Sequence, residues 1–216
     1  QDIAGQRVPV EARYTLAQAG EGEWRYGFAL GAYDPSRPLV IDPVVLVYCG
    51  YIGGSGSGDY EVGRGIAVDD LGQAYVVGET TSTQYSPHAF PVIGGPDLTH
   101  NGVADAFVAK VSADGTHLIY AGYIGGGNGD YGNGIAVDGS GQAYVVGRTY
   151  SAEDSFPVVG GPDLTYNGDG DAFVAKVSAD GTHLLYAGYI GGDDWDYGYG
   201  IAVDGLGQAT VVGATF

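Results

Sequence analysis

Four blocks of sequence recur in a fixed order along this chain, and that recurrence constrains its fold more than any other feature. Tyr-Cys-Gly-Tyr-Ile-Gly-Gly at 48–54 returns as Tyr-Ala-Gly-Tyr-Ile-Gly-Gly at 120–126 and 186–192. Gly-Ile-Ala-Val-Asp occurs at 65–69, 134–138 and 200–204. Gly-Gln-Ala-Tyr-Val-Val-Gly at 72–78 returns at 141–147, and again at 207–213 with threonine in place of the tyrosine. The run Asp-Ala-Phe-Val-Ala-Lys-Val-Ser-Ala-Asp-Gly-Thr-His-Leu at 105–118 is repeated unchanged at 171–184. The period is 66 residues between the last two copies and 69 or 72 where the first carries insertions. Units of this kind bury their apolar faces against one another, so one unit predicts the rest.

Each unit reads as four short strands. Ile-Ala-Val-Asp leads through a Gly-bearing turn (138–141) into Ala-Tyr-Val-Val-Gly, with β-branched and aromatic residues on either side of the turn. A longer connection follows, containing Phe156-Pro157 and Gly160-Gly161-Pro162. In the next strand Phe173, Ala175 and Val177 share one face by the two-residue alternation. Asp180-Gly181 then turns the chain into Leu-Leu-Tyr-Ala-Gly-Tyr-Ile, as an Asp-Gly hairpin does. No segment has a sustained helical period. The expected fold is all-β, built of four-stranded antiparallel meanders of the propeller-blade type.

These blocks, together with Asp-Tyr-Gly-x-Gly-Ile-Ala-Val-Asp and Asp-Ala-Phe-Val-Ala-Lys-Val, resemble the bacterial and archaeal β-propeller repeat called SBBP, over about residues 44–216. Tyr33-Asp34-Pro35 and the stretch from Pro38 to Pro43 are similar to the segment leading into the first such repeat. The resemblance implies a secreted or surface-attached propeller, often within a long modular protein. It implies no reaction and supplies no catalytic residue.

Residues 1–44 form an N-terminal segment whose stretches 8–16 and 24–33 read as strands, and residues 45–216 form the repeat region. Two blades are expected at about 65–126 and 134–192, with a half blade at 200–213. Val44–Ile52 matches the last strand of a further blade. Closed propellers have about 4–8 blades, so the ring is incomplete and strand edges are expected to be exposed. Two readings follow. The N-terminal strands of one molecule complete the half blade of the next, giving a head-to-tail filament; or the chain, which opens on Gln1 without methionine, is a fragment or processed form of a longer propeller.

Charge and composition remove several classes. The 26 acidic and 8 basic residues give a net charge of −18, without the positive footprint a nucleic-acid binder needs. No apolar stretch approaches the roughly 20 residues of a membrane helix. One cysteine forms no internal disulfide, and Cys49, aligned with Ala121 and Ala187, reads as a small buried thiol. The 41 glycines follow no three-residue period, which excludes collagen and points to turns.

Candidate sites lie in the acidic loops. Asp163, Asn167, Asp169 and Asp171 offer oxygen ligands for Ca²⁺, and Asp97, Asn101 and Asp105 are their counterparts, with Val103 where Asp169 stands. The competing reading has these side chains closing their own turns. An Asp-Tyr pair follows each Gly-Gly loop, at Asp59-Tyr60, Asp130-Tyr131 and Asp196-Tyr197, and a repeated structural role is expected for it. Trp195 with Tyr197 could stack on a sugar face, the basis of a glycan-binding alternative. His117 and His183 are equivalent and read as turn residues; His88, His100, Glu61, Glu79 and Glu153 are unrepeated and suggest no triad. Thr80 to Thr83 is a polar run open to O-glycosylation. The resulting expectation is a non-enzymatic extracellular or cell-surface structural protein that needs no cofactor beyond an optional Ca²⁺. Its partners would be further copies of itself or a glycan.

Overall fold

In a computed structural model the described residues form fourteen strands and no helix. The residues described are 2–3, 6–7, 10–20, 23–36, 48–85 and 89–216. His88 and residues 37–47, which hold the Pro38–Pro43 stretch and the first four residues of the expected 44–52 strand, lie outside them. Two compact units are present, Gln1–Leu46 and Val47–Phe216.

In the first unit, β1 (Asp2–Ile3) pairs with β2 (Gln6–Arg7), and β3 (Ala12–Gly20) pairs antiparallel with β4 (Glu23–Leu30). The second unit holds two four-stranded antiparallel sheets and one pair. The first blade is β5 (Glu61–Val68), β6 (Ala74–Thr80), β7 (Asp105–Val111) and β8 (Leu118–Ile124), hydrogen-bonded in that order. The second is β9 (Asp130–Val137), β10 (Ala143–Thr149), β11 (Asp171–Val177) and β12 (Leu184–Ile190). The third is the pair β13 (Asp196–Val203) and β14 (Ala209–Thr215). Residues 48–52 carry no strand ladder, contrary to the strand expected there. Their tyrosine keeps its place nonetheless. A Cβ on Gly115 would strike the Tyr48 ring as one on Gly181 would strike the Tyr120 ring.

The aspartates expected in turns close them. Asp69, Asp138 and Asp204 each accept amide hydrogen bonds from two residues of the first hairpin, at 2.8–3.0 Å. The glycine of each such hairpin, Gly72, Gly141 or Gly207, sits at φ near +78°, +77° or +79°, a region that favours glycine. In the second hairpin Asp114 and Asp180 each accept from one amide, of Thr116 or Thr182, and from the hydroxyls of a serine and that threonine.

Blades stack by a repeated rule. β9 packs against β5, β6 and β7, and β13 packs against β9, β10 and β11. Tyr75, Val77, Ala106, Val108 and Tyr120 of the first blade thereby enclose Ile135, Ala143 and Val145 of the second. The Phe-Pro connections are drawn into the core as well. Phe156 is buried against Phe173 and Tyr189, and Phe90 against Phe107 and Tyr123.

Candidate inner-strand cleft

The first strand of every blade carries the same irregularity. The ladder skips one residue between Gly63 and Gly65, between Gly132 and Gly134, and between Gly198 and Gly200. The extra residues are Arg64, Asn133 and Tyr199. A bulge of this kind re-aims a side chain and sharpens the local twist. It also drives the preceding carbonyl toward the second strand, which is why glycine stands opposite. A Cβ on Gly78, Gly147 or Gly213 would overlap the carbonyl of Val62, Tyr131 or Tyr197.

Around these bulges lies a cleft of about 590 Å³ lined by Val62, Gly63, Arg64, Tyr131, Asn133, Arg148, Tyr197 and Tyr199. Its lining contains two arginines and no carboxylate, on a chain whose net charge is −18. The two arginines differ. Arg64 donates through Nε and Nη2 to the buried Glu79 at 2.5 and 2.6 Å, and that carboxylate pushes the guanidinium pKa up. Arg148 stands at the register position of Glu79 and lies over three rings: Tyr131 at 4.6 Å, Tyr150 at 5.2 Å and Tyr197 at 5.2 Å. No carboxylate among the described residues pairs with it, whereas Arg64, Lys110 and Lys176 each have one. Asn133 donates to the carbonyl of Gly198 at 2.8 Å and so ties the second inner strand to the third.

Trp195 and Tyr197, the expected glycan residues, are brought together here. Trp195 stacks on Tyr197 with centroids 6.3 Å apart, Tyr197 stacks on Tyr199 at 6.0 Å, and the Trp195 edge meets Tyr150 at 5.7 Å. Val62, Arg64, Asn133, Arg148 and Tyr199 were missed in the sequence, and Tyr131 was given only a structural role. A signal for three of them was present: Arg64, Asn133 and Tyr199 differ from repeat to repeat between glycines that do not. The structure also corrects the Asp-Tyr pairing. Asp130-Tyr131 and Asp196-Tyr197 begin strands, and their counterpart in the first blade is Glu61-Val62, not Asp59-Tyr60. Thr149 donates to Asp130 as Thr80 donates to Glu61, which identifies the equivalent carboxylates.

In the acidic loops the oxygens are engaged locally. Asp97 accepts from the Thr99 amide at 2.8 Å and from Asn101 Nδ2 at 2.9 Å, and Asp163 accepts likewise from Thr165 and Asn167. Asp105 accepts from the amides of Asn101 and Gly102, and Asp171 from that of Asn167. Asp169 is exposed. Burial pushes the Asp105 pKa up to about 7 despite its amide partners, with the Asp130 charge adding to the effect, and burial pushes Asp171 up as well. No three His, Cys, Asp or Glu side chains among the described residues gather as a metal site.

The remaining polar candidates are dispersed. Glu61 accepts from Thr80, Glu79 holds Arg64, and Glu153 accepts from the Tyr166 amide. His100 lies edge-on to Tyr123 with Nε2 3.3 Å from the Thr80 carbonyl, and burial lowers its pKa. His117 and His183 each meet the preceding threonine hydroxyl through Nδ1. Two expectations are corrected. Cys49 is exposed because residues 48–50 lie outside any ladder. Thr80 and Ser82 are buried, since β6 ends inside the blade, so of the run only Thr83 is exposed, with Thr81 half-buried.

No helix is long and apolar enough to cross a membrane among the described residues. No curated protein matches the chain. Residues 1–44 match a domain of unknown function, DUF7948. The β-propeller repeat SBBP matches residues 50–85 and 119–153, the segments that contain the first two strands of the first blade and the outer strand of that blade with the first two of the second. The chain is thus a carrier of SBBP β-propeller repeats.

Proposed function

We propose that this protein is a non-enzymatic structural module of the cell surface or extracellular space that assembles head-to-tail through its blade faces. One observation carries the reading. Ile135, on the leading face of the second blade, is 9 % exposed because the first blade covers it, whereas its equivalent Ile66 on the first blade is 68 % exposed. Val68 beside it is 59 % exposed, and Ile66 borders an apolar groove with Tyr48, Ile52, Val76 and Leu118. Repeat arrays remain soluble by capping such faces with polar residues, and within the repeat unit this face shows Ile66 and Val68.

The opposite end is complementary by construction. Val212 is 65 % exposed where Val77 is fully buried, and β14 pairs with β13 alone while β6 and β10 pair on both sides. A second copy presents the same kind of surface that the second blade already meets in the first. The N-terminal strands of the neighbour are the natural partner for the β14 edge. The surface location rests on the kinship with SBBP propellers. The test is mass in solution by light scattering: a concentration-dependent series of oligomers is expected, reduced to monomer by Ile66→Glu with Val68→Glu and by deletion of residues 1–44. A wild-type protein that stays monomeric at high concentration overturns it.

A second reading is favoured by the stacked row Trp195, Tyr197 and Tyr199, which suits a module that binds a glycan on its inner strands.

A further inference from the structure

We infer that the inner-strand cleft binds an acidic sugar, with Arg148 taking the carboxylate and the neighbouring aromatic rings taking the sugar faces. The inference rests on the glycan reading and gives that site its ligand class.

Three independent observations lead to it. The first is variation. The frame of each blade is constant: glycines flank the bulge, and a threonine near the end of the second strand follows the residue at position 79, 148 or 214. Between these fixed points the residues change from blade to blade. The bulge residue is Arg64, Asn133 or Tyr199; two positions before it stands Val62 in the first blade and tyrosine (Tyr131, Tyr197) in the others; the cross-strand partner of that position is Glu79, Arg148 or Ala214. The repeated glycine frame does not by itself call for different groups at these places. A composite site needs different groups at matching places.

The second is charge. The residues lining the cleft include no carboxylate, while the chain as a whole is strongly acidic. Glu79 neutralises Arg64 from beneath, so one positive charge is left over, at Arg148. A cleft with neutral walls focuses the field of such a charge over its mouth. The planar fork of arginine matches a carboxylate with two parallel hydrogen bonds.

The third is shape. Arg148 is held by Tyr131, Tyr150 and Tyr197, which leave its N–H groups no carboxylate partner among the described residues but fix the plane of the guanidinium. Beside it Tyr199 and Trp195 remain partly exposed, ahead of and behind Tyr197 in one row. Rings with an apolar face and a wet edge suit a pyranose, whose C–H face stacks while its hydroxyls stay solvated. A neutral sugar uses the row alone; an acidic one uses the row and the arginine.

The test uses the full chain with Trp24→Phe, so that Trp195 reports alone. Its fluorescence is titrated with a galacturonic acid trimer, a mannuronic acid trimer, sialyllactose and a neutral galactose trimer. The expected result is saturable binding of at least one acidic sugar, about tenfold tighter than the neutral trimer and weakening as salt is added. Arg148→Gln should remove that preference, and Arg148→Lys should keep only part of it, because an ammonium retains the charge but not the planar fork. If Arg148→Gln proves unfolded by circular dichroism, the acid-to-neutral ratio and salt dependence of the unmodified cleft decide. Equal affinity for acidic and neutral trimers, or an unchanged preference in folded Arg148→Gln, overturns the inference and leaves the glycan reading standing. Absence of binding by all four sugars below about 1 mM overturns both.

Discussion

The hydroxyl of Tyr75, in the second strand of the first blade, lies 3.2 Å from the carbonyl oxygen of Gly141, in the first hairpin of the second. Its one proton is shared with Asp69 Oδ2 at 3.1 Å, and the ammonium of Lys110 lies 4.7 Å over the ring. The same latch recurs one blade later, where Tyr144 meets Gly207 at 3.1 Å and Asp138 at 3.0 Å under Lys176. In the third blade the equivalent residue is Thr210, which is too short to reach across to another blade in this way. The latch therefore joins the first blade to the second and the second to the third.

Tyr144→Phe removes the shared hydroxyl and keeps the ring. A loss of about 1 kcal/mol is expected, since the ring packing survives and only a hydrogen bond between blades goes. Tyr144→Ala should cost about 3–5 kcal/mol, because a fully buried ring leaves a cavity. Denaturant unfolding of the two variants beside the parent checks both the values and their order.

Gly147→Ala and Gly139→Ala separate close approach from ordinary turn freedom. A Cβ at 147 would overlap the Tyr131 carbonyl and press on the Phe173 ring at 2.7 Å, whereas one at 139 meets nothing within 4 Å. The first should lose about 2–3 kcal/mol through forced backbone movement, and the second should change stability by less than about 1 kcal/mol. Thermal melts suffice. Equal effects would mean that the bulge is not tightly held.

Stability should fall as pH rises from 5 to 8. Burial holds the Asp105 pKa at about 7 against an ordinary 3.8, and it raises those of Asp130 and Asp171 too. A carboxyl whose pKa is raised by folding binds its proton more tightly in the folded chain. Its contribution is fully present below the ordinary value and is lost as pH climbs through about 7. Asp114 and Asp180 act in the opposite sense, but their pKa values of about 2 confine them to strongly acid solution. Asp105→Asn, which stays neutral throughout, should flatten the slope of melting temperature against pH. An unchanged slope would take the effect away from Asp105.

Cys49 should react with a thiol reagent at full stoichiometry in the folded protein, at a rate close to that of a free peptide thiol. It is exposed, and its partner positions Ala121 and Ala187 are fully buried. A rate that rises only in denaturant would place Cys49 under cover.

The meander of each blade was legible because its signals are local. Alternating Val, Ile and Tyr faces set the strands, and Asp-Gly or Asp-x-x-Gly turns set the hairpins. The strand starts were misplaced at 65, 134 and 200, whereas the strands begin at Glu61, Asp130 and Asp196. Glycine-rich Asp-Tyr-Gly-x-Gly looks like a loop until the bulge is seen to require those glycines. The cleft was half legible. Trp195 and Tyr197 stand out by type, but Arg148 is an ordinary residue in sequence and acquires its meaning from three tyrosines of two blades.

The sequence by itself determined the number and order of blade units, their hairpins and the loop aspartates that close them, because each depends on residues only a few positions apart. The tertiary structure decided which repeated isoleucine is covered and which is open, and which arginine is neutralised and which is not. The first outcome depends on contacts between blades about 66 residues apart, where identical local sequence meets different neighbours, and the second on which side chain a neighbouring strand sets beside each arginine.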